Sequence, residues 1–163
     1  LYMNKHGYNG LCRYNMKGGF NVPFGRYKRP YFPEAEMRHF VQHAQHAVFE
    51  HTNFVATMSA CQPGDVVYCD PPYVPLSDTA NFTSYSANGF GWAEQTELAR
   101  QAAKLAQLGI PVIISNHDTE EVRQAYEAAE IETFEVRRFI SCNGDNRGKA
   151  AELLALFSLD NNE

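Results

Sequence analysis

Nine residues, Asp65-Val66-Val67-Tyr68-Cys69-Asp70-Pro71-Pro72-Tyr73, contain the strongest structural signal in this chain. The first five form a short apolar run that predicts a buried strand. Two consecutive prolines cannot continue a central strand, so the strand must end at Asp70. A carboxylate and an aromatic ring therefore follow the carboxyl end of a strand, where open α/β sheets bind ligands. We predict a site at residues 70–73; the alternative is a proline turn with an ordinary surface Asp.

A turn of this composition suits the methylation of an exocyclic amine on a nucleic-acid base. Such an amine is a poor nucleophile because its lone pair is delocalised into the ring. When both N–H bonds donate to acceptors, the nitrogen can become pyramidal and direct its lone pair at an electrophilic methyl group. The Asp70 carboxylate can accept one bond, and the carbonyl of Asp70 or Pro71 the other. Tyr73 offers a flat face on which an extruded base can stack, so catalysis would rest on positioning and electrostatics.

Length and composition predict a single globular domain of 163 residues. No apolar run approaches the length of a bilayer span and no signal-peptide pattern opens the chain, so we expect no membrane contact. The chain begins with Leu1 in what resembles the last turn of a helix, and we expect it to be part of a longer protein. The four cysteines show no spacing typical of zinc sites, which predicts reduced thiols and no metal: Cys12, Cys61, Cys69 and Cys142.

The net charge of −5 conceals a strong asymmetry along the chain. Residues 1–33 contain six Lys and Arg side chains and no Asp or Glu, so the acidic excess lies entirely in the rest of the chain. Aromatic and Asn side chains are interleaved with these cations. Together they can supply stacking, phosphate neutralisation and base-edge hydrogen bonds. The pattern predicts a nucleic-acid contact surface; the alternative is a solvated basic surface.

The same segment carries turn signals that predict a β-hairpin. Tyr8-Asn9-Gly10 and Lys17-Gly18-Gly19 are turn sequences, and residues 11–15 and 20–24 can extend between and after them. A two-stranded ribbon of this size fits a DNA major groove. We therefore divide the chain into a recognition segment, residues 1–33, and a catalytic part, residues 34–163.

The remaining patterns predict alternating helices and strands, separated by polar loops at 74–92 and 141–148. The histidines at 39, 43 and 46 are interpreted as solvent-facing, since no carboxylate or Cys joins them at ligand spacing. The expected elements are a helix over 34–49, a short strand at 54–55, a helix over 93–108, a strand over 111–116, a helix over 119–129, and strands over 132–140 and 151–157.

Five stretches, spread along the chain, resemble one protein family. They are Tyr8-Asn9-Gly10-Leu11-Cys12-Arg13-Tyr14-Asn15, Phe20-Asn21-Val22-Pro23-Phe24-Gly25-Arg26-Tyr27-Lys28, Asp70-Pro71-Pro72-Tyr73, Ala80-Asn81-Phe82-Thr83 and Ile114-Ser115-Asn116-His117-Asp118. The whole chain resembles the carboxyl-terminal two-thirds of bacterial DNA adenine methylases of the Dam family. The resemblance implies the second half of a doubly wound, Rossmann-like α/β methyltransferase sheet with a DNA-recognition β-hairpin insertion.

The resemblance also implies an activity and a set of site residues. Members of the family methylate adenine N6 in GATC within double-stranded DNA, using S-adenosyl-L-methionine and a flipped base, and they are cytoplasmic and nucleoid-associated. By position, Asp70, Pro71, Pro72 and Tyr73 would hold the target adenine, with Asp70 also near the cofactor. Arg13 would read a guanine, Tyr8 would wedge into the stack, and Asn9 would hold the displaced strand. The other implied DNA contacts are Leu11, Asn15, Asn21, Pro23, Arg26 and Lys28.

One departure from the family pattern is large. The family's amino-terminal part carries a Phe-x-Gly-x-Gly turn for the methionine moiety and an acid for the ribose, and neither is present here. Gly18-Gly19 follows no Rossmann-like strand and is no substitute. We therefore expect strands 65–69 and 112–115 to lie beside absent strands, and the isolated chain to self-associate and to lack methyltransferase activity. Two alternatives stay open: an amino-methyltransferase with another DNA or RNA target, and a DNA-binding module without catalysis.

Overall fold

A computed structural model describes residues 1–76, 90–137 and 149–159. The chain divides into two compact units, Leu1–Glu50 and His51–Glu163, which are considered separately below. Most of the two predicted polar loops, with the Ala80-Asn81-Phe82-Thr83 motif and Cys142, lies outside the described residues. The functional division into residues 1–33 and 34–163 stays a prediction. No helix within the described ranges is long and apolar enough to cross a membrane.

In the first unit, the predicted hairpin consists of isolated antiparallel pairs without a continuous strand. Gly7 pairs with Phe24, and Tyr14 pairs with Phe20. The Asn21 amide donates to the Arg13 carbonyl at 3.0 Å, so the two arms do run beside each other. Helix α1, Tyr2–His6, ends just before Gly7, and a 3-10 turn, Tyr8–Gly10, follows Gly7. The sequence thus predicted antiparallel pairing here, while a recognition ribbon for DNA stays a prediction.

Helix α2 spans Glu34–Ala44 and ends five residues before the predicted boundary. Its acidic first turn suits the positive end of the helix dipole. After Ala44 the backbone tightens, because the His46 and Ala47 amides bond to carbonyls three residues earlier. The three histidines are exposed, as expected. The helix buries no side chain, and Phe40 and Val41 each remain about three-fifths exposed.

The strand predicted at Phe54-Val55 is wrong, since these residues open helix α3, Phe54–Ser59. Asn53 caps this helix, and its side chain accepts a hydrogen bond from the Val55 amide at 2.8 Å. An Asn immediately before an apolar pair is a helix-start signal, and it outweighs the β preference of Phe and Val. Met58 anchors the helix in the core at 2% exposure.

A four-stranded mixed sheet organises the second unit in the order β1-β2-β4-β3. Strand β1 runs parallel to β2, with Val67 opposite Val112, and β4 runs antiparallel to both of its neighbours. The sheet and its helices place this unit in the α/β class; the doubly wound arrangement stays a prediction. The strands are β1 Val67–Cys69, β2 Val112–His117, β3 Glu130–Arg137 and β4 Lys149–Phe157.

The expectation that β2 lies beside an absent strand is wrong. Strand β2 is paired on both sides, with β1 and with β4, because the chain returns after β3 to place β4 next to it. Among the described residues, β1 pairs on one side alone. The side chains of Val66 and Tyr68 there are 69% and 61% exposed. The edge formed by β1 is therefore the open edge of the described sheet next to the predicted site.

Helix α4, Trp92–Gln107, covers the sheet and supplies much of the core. Leu98, Ala102 and Leu105 recur at helical spacing and are buried together with residues of β2 and β4. Gly109, at φ +75°, ends the helix, and the Ile110 amide returns to the Leu105 carbonyl at 3.0 Å. Helix α5, Glu120–Ala125, then begins at Thr119, whose hydroxyl accepts from the Val122 amide. These boundaries fix β2 between two helices.

Candidate active site

Asp70 follows β1 at the carboxyl end of the two parallel strands, β1 and β2, as the sequence predicted. Its side chain is exposed, and one carboxylate oxygen, Oδ1, lies 3.2 Å from the hydroxyl of Ser115 on β2. The Tyr68 hydroxyl donates to the same Ser115 oxygen at 3.1 Å. Because that oxygen accepts from Tyr68, the Ser115 proton can be donated, and it is shared between the Asp70 carboxylate and, at 3.4 Å, the Cys69 carbonyl. The arrangement holds one oxygen of the carboxylate and leaves the side chain open to a ligand.

The residues after Asp70 are partly or fully buried. Pro71 is buried, Pro72 and Tyr73 are partly buried, and Val74 is 8% exposed. The Tyr73 ring meets the His117 ring edge-on, with centroids 5.0 Å apart and planes at 83°. Burial raises the pKa of the Tyr73 phenol, and its hydrogen bond with Ser115 opposes that shift. The four predicted catalytic residues therefore lie together in a well-packed turn; their catalytic roles stay predictions.

Three hydrogen bonds from side chains outside the turn hold its backbone. Gln95 on α4 donates through Nε2 to the Pro72 carbonyl at 2.7 Å. Asn116 accepts from the Val74 amide at 3.0 Å, and His117 donates through Nδ1 to the Val74 carbonyl at 2.6 Å. The sequence alone predicted no role for these side chains. One signal was present, because Gln95 lies three and seven residues before Leu98 and Ala102, on the apolar face of α4.

Two further observations limit the chemistry available at the turn. Burial raises the pKa of the Cys69 thiol to about 11, so at neutral pH it is protonated and a poor nucleophile. No group of three or more His, Cys, Asp and Glu within residues 1–76, 90–137 and 149–159 is arranged to hold a metal ion. The described site thus offers a carboxylate, backbone carbonyls and an aromatic ring.

In the first unit, the structure brings two predicted DNA contacts together. Arg13 donates through Nε to the side-chain oxygen of Asn21 at 2.9 Å, and through Nη2 to its carbonyl at 3.1 Å. These bonds occupy one side of the guanidinium fork. On the other side, one N–H of Nη1 and the second N–H of Nη2 are parallel. This is the paired geometry that matches the two acceptors of a guanine edge.

Tyr8 and Asn9 occupy a turn whose backbone is fixed. The Tyr8 amide donates to the Pro23 carbonyl at 2.9 Å, and the Asn9 amide donates to the Tyr27 hydroxyl at 3.1 Å. Asn9 adopts φ +52°, a left-handed conformation that Asn tolerates better than most residues. Both side chains remain exposed. Their exposure leaves both side chains accessible to a partner.

The other predicted DNA contacts differ in their surroundings. Asn15 has a structural role, because its side-chain oxygen accepts from the amides of Lys17 and Gly19, each at 2.9 Å. Leu11 is partly buried. The remaining three are exposed: Pro23, Arg26 and Lys28. All of these assignments stay predictions.

The sequence is similar to one family of known proteins over most of its length. The sequence model of the D12 class N6 adenine-specific DNA methyltransferases matches residues 1–140. The chain belongs to this family. Proteins named DNA adenine methylase from Salmonella typhi and Escherichia coli (strain K12) are each 55% identical to it over 157 residues, 96% of this chain and 56% of those proteins.

A third relative extends the range of organisms. The DNA adenine methylase of Vibrio cholerae serotype O1 (strain ATCC 39315 / El Tor Inaba N16961) is 55% identical over 159 residues, 97% of this chain and 57% of that protein. The chain thus spans a little over half the length of the relatives it matches.

Proposed function

We propose that this chain is part of a site-specific DNA methyltransferase that transfers a methyl group to adenine N6 in GATC, with the adenine flipped out of double-stranded DNA. The observation that carries the proposal is the position of Asp70. Its carboxylate is anchored by Ser115, exposed, and adjacent to Tyr73 at the carboxyl edge of a parallel strand pair. The matched family acts on adenine N6 by its description, which supports this choice of reaction.

The turn can activate an exocyclic amine with its own groups. One N–H of the amine donates to the Asp70 carboxylate. The Pro72 carbonyl already accepts from Gln95, so the second N–H donates to the carbonyl of Asp70 or Pro71. The nitrogen lone pair, freed from the ring, would then bond to the methyl carbon of the donor as the bond between that carbon and the donor's sulfur breaks, with the electron pair staying on sulfur. Asp70 stabilises the positive charge that develops on nitrogen. The base stacks on Tyr73 during the transfer, and the extra proton on nitrogen then passes to water.

S-adenosyl-L-methionine fits one side of this site. It supplies a methyl group on a positively charged sulfur, and the exposed Asp70 at the strand end can face that charge. Within residues 1–76, 90–137 and 149–159, no glycine-rich turn follows a strand to cradle the methionine moiety. We therefore infer that residues beyond this chain, in a longer protein, complete the cofactor pocket.

The basic first unit supports a nucleic-acid substrate. Its cations neutralise phosphates, while the exposed aromatic rings of Tyr8 and Tyr14 provide stacking surfaces. The free end of the Arg13 fork can donate to a guanine in the major groove. This combination favours double-stranded DNA over the single-stranded loops in which most sequence-specific RNA recognition occurs.

The experiment is methyl transfer by the full-length protein carrying this chain. With S-adenosyl-L-methionine labelled in the methyl group, we expect label in N6-methyladenine of a GATC duplex, and little in a duplex of the same composition with that sequence scrambled. Transfer to both duplexes alike would contradict GATC specificity and support another DNA target. Transfer to RNA alone would support the RNA alternative. Binding without transfer to any substrate would leave a DNA-binding module.

A further inference from the structure

Asn116 is fully buried at the end of β2 and uses all the hydrogen-bonding capacity of its amide. Its oxygen accepts from the backbone amides of Val74 at 3.0 Å and His117 at 2.9 Å. Its nitrogen donates to Gln95 Oε1 and to the Tyr126 hydroxyl, both at 3.1 Å. Two backbone N–H groups facing one end of the amide fix its orientation, since only the oxygen can accept from both.

Gln95 connects this amide to the other side of the turn. Its oxygen accepts from Asn116 and, at 3.4 Å, from Tyr126, while its nitrogen donates to the Pro72 carbonyl at 2.7 Å. Both Gln95 and Tyr126 are 1% exposed. Burial raises the pKa of Tyr126 to about 12, so its hydroxyl stays neutral and can donate and accept throughout the working pH range.

We propose that Gln95 and Asn116 are positioning residues, which hold the backbone at Pro72 and Val74 so that Asp70 and Tyr73 meet the reacting base in one geometry. This inference rests on the proposed function. Apolar side chains would fill the same volume without the cost of burying amides. The network instead directs one hydrogen bond to the turn on each side of Tyr73. A fully satisfied polar network of this kind selects a single arrangement of the groups it joins.

Asp70 needs such support because it is exposed at the surface. Ser115 anchors one oxygen of the carboxylate, but the angle at which Asp70 and the neighbouring carbonyls face the amine depends on the path of the backbone through residues 71–74. A displacement of about 1 Å at a reacting group can lower a rate by about a hundredfold. The network therefore acts on turnover through Asp70 and Tyr73, without touching substrate itself.

The test compares Gln95→Met with Gln101→Met in the full-length protein that carries this chain. Gln101 lies on the same helix, is 5% exposed, and donates to Glu97 at 2.7 Å without contacting the turn. Both variants therefore remove a buried amide from α4. We expect Gln95→Met to lower kcat for GATC methylation by about ten- to a hundredfold with KM for DNA changed by less than about threefold. Gln101→Met should keep both values near wild type.

Amide hydrogen exchange gives a readout independent of activity. The Val74 amide donates to Asn116, whose position depends on Gln95. In Gln95→Met its exchange should accelerate, whereas in Gln101→Met it should match wild type. If Gln95→Met does not fold, Tyr126→Phe removes one hydroxyl from the network and should produce the same pattern with a smaller fall in kcat.

The outcomes separate the inference from the proposed function. An active wild type together with an unchanged kcat in folded Gln95→Met, or in folded Tyr126→Phe as its substitute, overturns the positioning role alone. Equal losses in Gln95→Met and Gln101→Met overturn it as well, because they show a general effect of disturbing α4. A wild type that methylates no adenine overturns the proposed function and, with it, this inference.

Discussion

Asp70 combines an anchored carboxylate oxygen with an exposed side chain, and this combination makes a specific prediction. In the full-length protein, Asp70→Ala should lower kcat by at least about a hundredfold, because it removes a preorganised acceptor for the target amine. DNA affinity should change little, since the predicted base and phosphate contacts lie in residues 1–33. Single-turnover methylation and equilibrium binding to a GATC duplex measure the two effects.

Asp65→Ala is the matched control for Asp70. Asp65 is also exposed, and it accepts from the Gln62 amide at 2.8 Å in the turn before β1, away from the residues assigned to catalysis. Its removal should leave turnover unchanged. Near-normal methylation by Asp70→Ala would eliminate the role proposed for this carboxylate.

Tyr73→Phe keeps the stacking ring and should have a small effect on turnover, whereas turnover in Tyr73→Ala should be strongly impaired.

Substitutions of Arg13 and Lys28 should distinguish two contributions to DNA binding, namely recognition of the base sequence and attraction to phosphate. Arg13→Ala should cost about 1–3 kcal/mol of binding free energy on GATC and relax discrimination at one base pair, because a paired contact to a guanine edge is lost. Lys28→Ala should weaken binding to all duplexes alike and reduce the salt slope by about one. Titrations on specific and scrambled duplexes at several salt concentrations measure both. Equal losses on both duplexes for Arg13→Ala would exclude base reading there.

At the scale of elements, the sequence predicted most of the second unit because its patterns are local. Helix α4 and strand β2 carry apolar residues at regular spacing, and Gly109 and Thr119 give their usual boundary signals. The prediction of a strand at Phe54-Val55 was wrong because two residues are too few to show a periodic pattern. The Asn53 cap therefore determined that they begin a helix. The apolar face of α4 could have indicated that Gln95 is buried, but its hydrogen bond to the Pro72 carbonyl was not predictable. The two residues are 23 positions apart in the sequence and meet only in the folded unit.

The buried hydroxyl of Tyr126, which accepts from Asn116 of β2, predicts a dependence of stability on pH. Tyr126 follows α5, and burial raises its pKa from 10.0 to about 12. The folded protein therefore holds this proton more tightly than the unfolded chain. The free energy of unfolding should be unaffected by this group below about pH 10 and should fall as the pH rises from about 10 towards 12.

Denaturant unfolding from pH 7 to pH 11 tests this, with Trp92, the single tryptophan, as the fluorescent reporter on α4. Tyr126→Phe should lower stability at pH 7, because it deletes a hydroxyl from the buried network, and should decline less steeply above pH 10. The Cys69 thiol, whose pKa is also raised, is present in both proteins, so the difference between the two curves reports Tyr126 together with its interaction with that thiol. Parallel curves for the two proteins would show that Tyr126 does not titrate differently on folding.

At the scale of the whole molecule, apolar surface remains exposed in both units. The side chains of Phe40 and Phe49 are 62% and 72% exposed in the first unit. In the second unit, Val66, just before β1, and Tyr68, within β1, are exposed beside the edge of β1 that has no partner strand among the described residues. Exposed strand edges and apolar patches favour association. The isolated 163-residue chain should therefore sediment faster as its concentration rises. A single monomer boundary throughout a wide concentration series would contradict this expectation.

Cofactor binding is the sharpest test of the molecule as a whole. The chain offers Asp70 at the strand edge but no glycine-rich turn and no ribose acid in the family's pattern. One charged group at the edge of an open site gives little affinity for the cofactor, because its favourable interaction must offset the entropy that a flexible ligand loses on binding. Calorimetric titration of the isolated chain with S-adenosyl-L-methionine should therefore show no saturable heat, whereas the full-length protein should bind one equivalent. A tight one-to-one isotherm for the isolated chain would mean that residues 1–163 form a complete pocket, and the inference that further residues complete it would be wrong.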